Sequence, residues 1–174
     1  MPVRALAMVI LAAAMWGTPT DAALNVEVLR SVGGLPPHVV GLFEEGSFYV
    51  FVSGIPMFRK YDASGTLRFE RHIEGAELDG YLASLPTRWP TRRVENREIP
   101  LVVPAVRAAA VDARGRLWVS LNQPYTYVYD AQGDKVRTLQ FRAAGIISPT
   151  SLSFTRNGRL LTTPGCYEFS PGVS

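Results

Sequence analysis

The feature that most constrains this chain is that it repeats. Val111–Val119 reads Val-Asp-Ala-Arg-Gly-Arg-Leu-Trp-Val, and Phe154–Thr162 reads Phe-Thr-Arg-Asn-Gly-Arg-Leu-Leu-Thr, with Gly115 and Gly158 43 positions apart. A more diverged copy, Phe43–Val50, carries Gly46. The downstream half repeats as well. Lys60–Thr66 matches Val128–Asp134, with Gly65 and Gly133 68 positions apart, and Pro56 and Pro124 share that offset. Pro164 follows 40 positions later. One period near 43, lengthened once by an insertion, accounts for the whole set. A period of that size marks repeat architectures, in which each unit buries its faces against its neighbours.

Each unit has the grammar of a four-stranded antiparallel meander. In the clearest copy, Val106–Asp112 alternates as a strand and Ala113-Arg114-Gly115 turns the chain. Leu117–Leu121 is the second strand, and Asn122-Gln123-Pro124 the loop that follows. Tyr125–Asp130 and Val136–Phe141 are the third and fourth strands, joined by a turn at Ala131–Asp134. Units of about 40–50 residues with four strands each are the signature of propeller blades. The expected fold is therefore all-β: antiparallel four-stranded blades of a partial, two- to three-blade β-propeller. A sandwich with chance recurrence of its turns is the competing architecture. Composition agrees with an all-β globule, since 47% hydrophobic and 19% charged residues exclude a disordered chain and 13 Pro with 15 Gly disfavour long helices.

The insertion occupies residues 75–104. Leu78, Tyr81, Leu82 and Leu85 fall at helical spacing and predict a short amphipathic helix of about two turns, stopped by Pro86. Beyond it, Arg88–Arg93 is the basic and aromatic cluster of the chain. Such a cluster can hold an acidic ligand or a nucleic-acid backbone. Glu95 and Glu98 follow at once, and the reading adopted is a solvated loop whose Trp89 covers the sheet. The net charge of +3 is too mild to mark a nucleic-acid partner.

Residues 1–22 read as a signal peptide. Arg4 gives a positive start, Ala5–Trp16 an apolar run of twelve, and Thr20 and Ala22 the small residues of a cleavage site. The run is shorter than a membrane span, which needs about 20 residues. The expected location is secreted or periplasmic, with residues 23–174 as the domain and no membrane span after cleavage.

Gly34–Phe43, Phe58–Asp62 and Tyr125–Asp130 resemble exported bacterial six-bladed β-propeller proteins of the NHL/TolB-like kind. The resemblance implies architecture, and assigns no reaction. NHL-type blades usually end the second strand on an acidic residue, where this chain has Ser53, Ser120 and Thr162. Six blades of about 40–50 residues exceed this chain, which has material for two to three. The resemblance thus implies a propeller shortened near Gly46.

The chemistry is sparse. No Gly-rich phosphate loop, Gly-x-Ser-x-Gly elbow or Cys-x-x-Cys occurs. His38 and His72 sit at strand ends and do not suggest a metal pair. Asp62, Asp112 and Asp130 precede glycine turns, where a carboxylate accepts backbone hydrogen bonds, and are read as structural. Cys166, the sole cysteine, is read as buried and inert. No cofactor is expected.

Two functions remain in view. The first is a non-catalytic binding or scaffold module of the cell envelope, taking a protein or small-molecule ligand. Its binding face would comprise the loops at 53–56, 121–124 and 163–165, with Ser53, Asn122, Gln123 and Tyr125 as candidate ligand-face residues. The alternative is a lactonase-type propeller hydrolase dependent on a divalent cation. Against it, the inner strands offer Val39, Val40, Ala108, Ala109, Ala110, Leu152 and Ser153, which are poor ligands for a hard cation. So few blades cannot close a ring. Asn25–Val32 could supply the outer strand of the last blade, but that closure would not complete a ring, so Val50, Phe51, Trp118, Tyr127 and Phe154 are expected to face solvent and to drive self-association or aggregation.

Overall fold

The computed structural model describes residues 38–42, 46–52 and 54–170, and of 38–42 the backbone alone. The signal segment, the Asn25–Val32 strand, the start of the family-like Gly34–Phe43 stretch and Ser53 lie outside the described residues. Within them the chain is mostly β. Strands β1 (His38–Leu42), β2 (Phe48–Val52), β3 (Met57–Tyr61) and β4 (Leu67–His72) form a first sheet in sequential order. The second sheet is β7 (Val106–Val111), β8 (Leu117–Leu121), β9 (Thr126–Tyr129) and β10 (Lys135–Leu139). The third has three strands, β11 (Ser151–Phe154), β12 (Leu160–Thr163) and β13 (Tyr167–Phe169). A separate hairpin pairs β5 (Thr91–Val94) with β6 (Arg97–Pro100). All pairings are antiparallel.

The sequence repeat is a backbone repeat. At four turns the glycine N–H donates to the carbonyl three residues earlier: Gly65 to Asp62, Gly115 to Asp112, Gly133 to Asp130 and Gly158 to Thr155. Each of these glycines has φ between 72° and 84°, a left-handed conformation that a Cβ penalises. The side chain at the first position then caps the turn. Oδ1 of Asp62, of Asp112 and of Asp130 each accepts two backbone N–H bonds at 2.9–3.0 Å, and Thr155 Oγ1 accepts one at 3.1 Å. The irregularities repeat too. In the first sheet Arg68 is bulged out of the β3–β4 ladder, and in the second Val136 is bulged out of β9–β10, 68 positions later.

Side chains alternate between two cores. On β8, Leu117, Val119 and Leu121 face the first sheet, while Trp118 faces the third; on β9, Tyr127 and Tyr129 face the first and Val128 the third. The central strands of the second sheet, β8 and β9, are therefore buried on both faces, which requires near-continuous apolar strands instead of in–out alternation, while its edge strand β10 is largely exposed. Phe58 meets Tyr129 edge-on at 4.9 Å across the first interface, and Trp118 meets Phe154 at 5.3 Å across the second. The first strands lie together, β7 beside both β1 and β11.

This packing corrects the expected exposure of blade faces. Trp118 is 4% and Tyr127 0% exposed, Val50 and Phe51 are buried, and Phe154 is half-buried. Phe51 and Tyr127 lie in the core between the first two sheets, and Trp118 and Phe154 between the second and third. The insertion also differs in part from expectation. Its helix is a 3₁₀ turn, Ala76–Leu78, running into α1 (Asp79–Ser84), which ends where Leu85 turns extended ahead of Pro86. Leu78 is buried and Leu82 packs beside it on the first core. The basic stretch expected as a loop is instead the hairpin β5–β6, closed by Glu95 and Asn96 at φ 46° and 63°, the two positive φ values of a type I′ turn. Trp89 is half-buried beside the turn at Gly54 and belongs to neither core.

Candidate functional site

The loops that follow each sheet's second strand are the candidate ligand face. Asn122 is exposed, Gln123 half-buried, and the loop is tight: Tyr125 N donates to Gln123 O at 2.7 Å and Leu121 N to Tyr125 O at 3.0 Å. The Tyr125 ring is half-buried against the core between the first two sheets, so the loop presents mainly its amides to solvent. Asn122 N is held by Ala105 O at 2.8 Å, where the insertion rejoins the sheet.

Residues 148–151 tie this loop to the next one. Ser148 Oγ donates to Leu121 O, and Ser120 Oγ to Pro149 O at 3.0 Å. Thr150 N donates to Thr163 O at 2.8 Å, and Thr163 Oγ1 shares hydrogen bonds with the hydroxyls of Thr150 at 2.8 Å and Ser151 at 2.7 Å. On the first sheet, the turn at Gly54 lies against Trp89 and Val102. The chain leaving the insertion thus passes the first loop and is then bonded to the second, which segment 148–151 joins to the third. Sequence reading missed this segment, because Ser-Pro-Thr-Ser carries a turn signal but nothing that names its partners 27–29 residues away.

Where the second and third sheets meet below these loops, the interface turns from aromatic to hydroxylic. Ser120, Thr126, Ser148 and Thr162 are all buried there. Thr126 and Thr162 keep hydroxyl oxygens without a hydrogen-bond partner among the described residues. Ser120 and Ser148 donate to backbone carbonyls, so this set can orient a polar group.

Between the first two sheets the buried polar atoms are phenols. Burial, then the Asp130 charge, pushes Tyr49 up to about 12. Burial raises Tyr129 further, with Glu74 and Glu77 adding to it, and raises Tyr127, with Glu77 next. All three are neutral at ordinary pH and none is poised as a base. Glu77 is held below the usual carboxylate range by its own backbone N–H first, then by the Tyr127 hydroxyl, with Lys135 and Thr138 contributing. Lys135 in turn donates to Glu74 O at 2.8 Å and lies 4.3 Å from the centre of the Tyr127 ring. These contacts clamp the insertion onto the second sheet.

Asp112 is the buried member of the turn aspartates. It accepts Trp118 Nε1 at 3.0 Å and Arg116 Nε at 2.7 Å besides its turn bonds. Burial opposes its charge, but the Trp118 and Arg116 hydrogen bonds outweigh that and hold its carboxyl below the usual range. Its role is structural, as the turn position predicts.

His72 is exposed at the end of β4 opposite Met57, and His38 is described in its backbone alone. Among the described residues no group of three His, Cys, Asp or Glu side chains could hold a metal ion, and no helix is long and apolar enough to cross a membrane. Cys166 is a correction. It is exposed, because it sits at φ 53° on the tight turn joining β12 to β13, at the margin of the three-stranded sheet. Comparison with protein-family models and with curated proteins finds no match to this chain.

Proposed function

We propose that this chain is a non-catalytic binding or scaffold module of the cell envelope, built as three successive blades of a shortened propeller. The observation that carries the reading is the side-by-side arrangement of β1, β7 and β11, the first strand of each sheet. With inner strands gathered in this way, the loops after each second strand emerge together and offer Asn122 and Gln123 to a ligand. Ala108, Ala109, Ala110, Leu152 and Ser153 lie on those first strands, and such side chains suit a packed axis better than a hard-cation site. The open edge of β13, which among the described residues pairs with β12 alone, is where a further strand or a second copy adds.

A thermal-shift screen against envelope fragments (glycans, peptides and lipid headgroups) tests the binding face. A ligand is expected to raise the melting temperature, and the Asn122→Ala/Gln123→Ala double variant is expected to lose that rise. Stoichiometric Ca²⁺ or Zn²⁺ in the purified protein, together with turnover in a lactone-hydrolysis screen, would replace this reading with the hydrolase.

A further inference from the structure

The β5–β6 hairpin stands apart from both cores. Every described side chain on β5 is exposed, as are all but the last on β6, and neither strand contributes to a buried cluster. Register divides its side chains sharply. Arg93 opposes Glu98 on one face, with Thr91 opposite Pro100. On the other face Arg92 opposes Ile99 and Arg97 opposes Val94, and no carboxylate shares it. Val94 is 40% and Ile99 47% exposed, and just beyond β6 Leu101 and Val103 are 51% and 49% exposed. Neither Arg92 nor Arg97 forms an ion pair among the described residues. An isolated two-stranded hairpin is marginal in water, so two unpaired arginines flanking two bare aliphatics are poorly explained as a solvated surface.

We propose that this hairpin face is a docking surface for an anionic lipid bilayer. The chemistry matches in both of its parts. Guanidinium groups bind phosphate bidentately and carry aliphatic stems that tolerate the headgroup boundary. Val94 and Ile99 lie between them, at the depth where acyl chains begin. Size favours lipid over an acidic protein. Four side chains on a ten-residue hairpin fall far short of the ~800 Å² per partner of a stable protein interface, whereas a charged surface engages a few cations without such an area. The inference does not rest on the ligand-face reading of the loops.

Co-sedimentation of the full chain with vesicles tests it. Binding is expected to vesicles containing phosphatidylglycerol, weakly or not at all to pure phosphatidylcholine, and to fall as salt rises. The Arg92→Gln/Arg97→Gln variant should bind about thirtyfold more weakly, and Val94→Ser/Ile99→Ser about tenfold, each with the parent's cooperative thermal transition. Equal binding to neutral vesicles, no binding to either, or variants that bind like the parent would overturn the proposal. Capture of polyglutamate without capture of anionic vesicles would also overturn it, in favour of an acidic protein partner.

Discussion

The second sheet and the β5–β6 hairpin are both antiparallel ladders closed by turns of positive φ, yet they live in opposite environments. Leu117–Leu121 and Thr126–Tyr129 are buried at every position, whereas Thr91–Val94 is exposed at every position. Backbone pairing is common to both, so pairing does not set their stability. The faces do. Strands β8 and β9 meet an aromatic surface on each side, and the hairpin meets water.

The largest effect belongs to Trp118. Replacing it by Ala removes the ring that faces Phe154 and strands the Asp112 carboxylate without its indole donor. Loss of a buried Trp costs about 3–5 kcal/mol, enough to unfold many domains of this size. Denaturant unfolding checks it, and a loss below about 1 kcal/mol would mean the second and third sheets do not share a core. Asp112→Ala follows, at about 3 kcal/mol, since it removes an acceptor for charged and buried donors. Its pH signature has a definite sign. The folded carboxyl is lowered, so its contribution is complete above the unfolded value of about 4 and is lost as pH falls towards the folded one. Asp112→Asn should therefore flatten the acid limb of a stability–pH curve and leave its shape above pH ~5 unchanged.

Much of the fold was legible because its signals are local. The turn at Asp112-Ala113-Arg114-Gly115 states its own geometry, and the 68-residue offset in the sequence reappears as a bulge at the same offset. The burial of both faces was also written in Leu-Trp-Val-Ser-Leu, an apolar run with no polar alternation except a small serine. One four-stranded unit by itself would leave that run exposed, and its burial comes from the sheets on either side. What stayed hidden depends on neighbours far along the chain. Nothing near Ser148 announces Leu121, and nothing near Gly75 announces Tyr127. The hairpin escaped notice because Arg-Arg-Val-Glu-Asn-Arg-Glu-Ile lacks both apolar alternation and a glycine turn, leaving Asn96 as its faint signal.

Two glycines separate the space around the second sheet from its backbone. A Cβ at Gly75 would lie 2.4 Å from Tyr127 Oη and 2.9 Å from Lys135 Nζ, although its φ of 172° suits any residue. A Cβ at Gly115 would meet nothing within 4 Å, but its φ is 73°. Gly75→Ala should cost about 2 kcal/mol by overpacking, with the Tyr127 environment visibly changed in near-ultraviolet circular dichroism. Gly115→Ala should cost about 1 kcal/mol and leave that spectrum alone. Equal spectra for the two variants would show that the insertion is not clamped to the second sheet.

The smallest effect is expected where the hairpin loses its apolar side chains. Val94→Ser/Ile99→Ser deletes two aliphatic groups that are 40% and 47% exposed and lie in neither core, so little transfer free energy is forfeited on folding. Global stability should change by no more than about 0.5 kcal/mol. The matching change in the second sheet, Val119→Ser, buries a hydroxyl at a fully enclosed site and should cost several times more, about 3 kcal/mol. The pair is read by denaturant midpoints with unchanged slopes. If the hairpin variant proved as damaging as Val119→Ser, the hairpin would have to be packed against the domain. Its exposed face would then be unavailable to a bilayer.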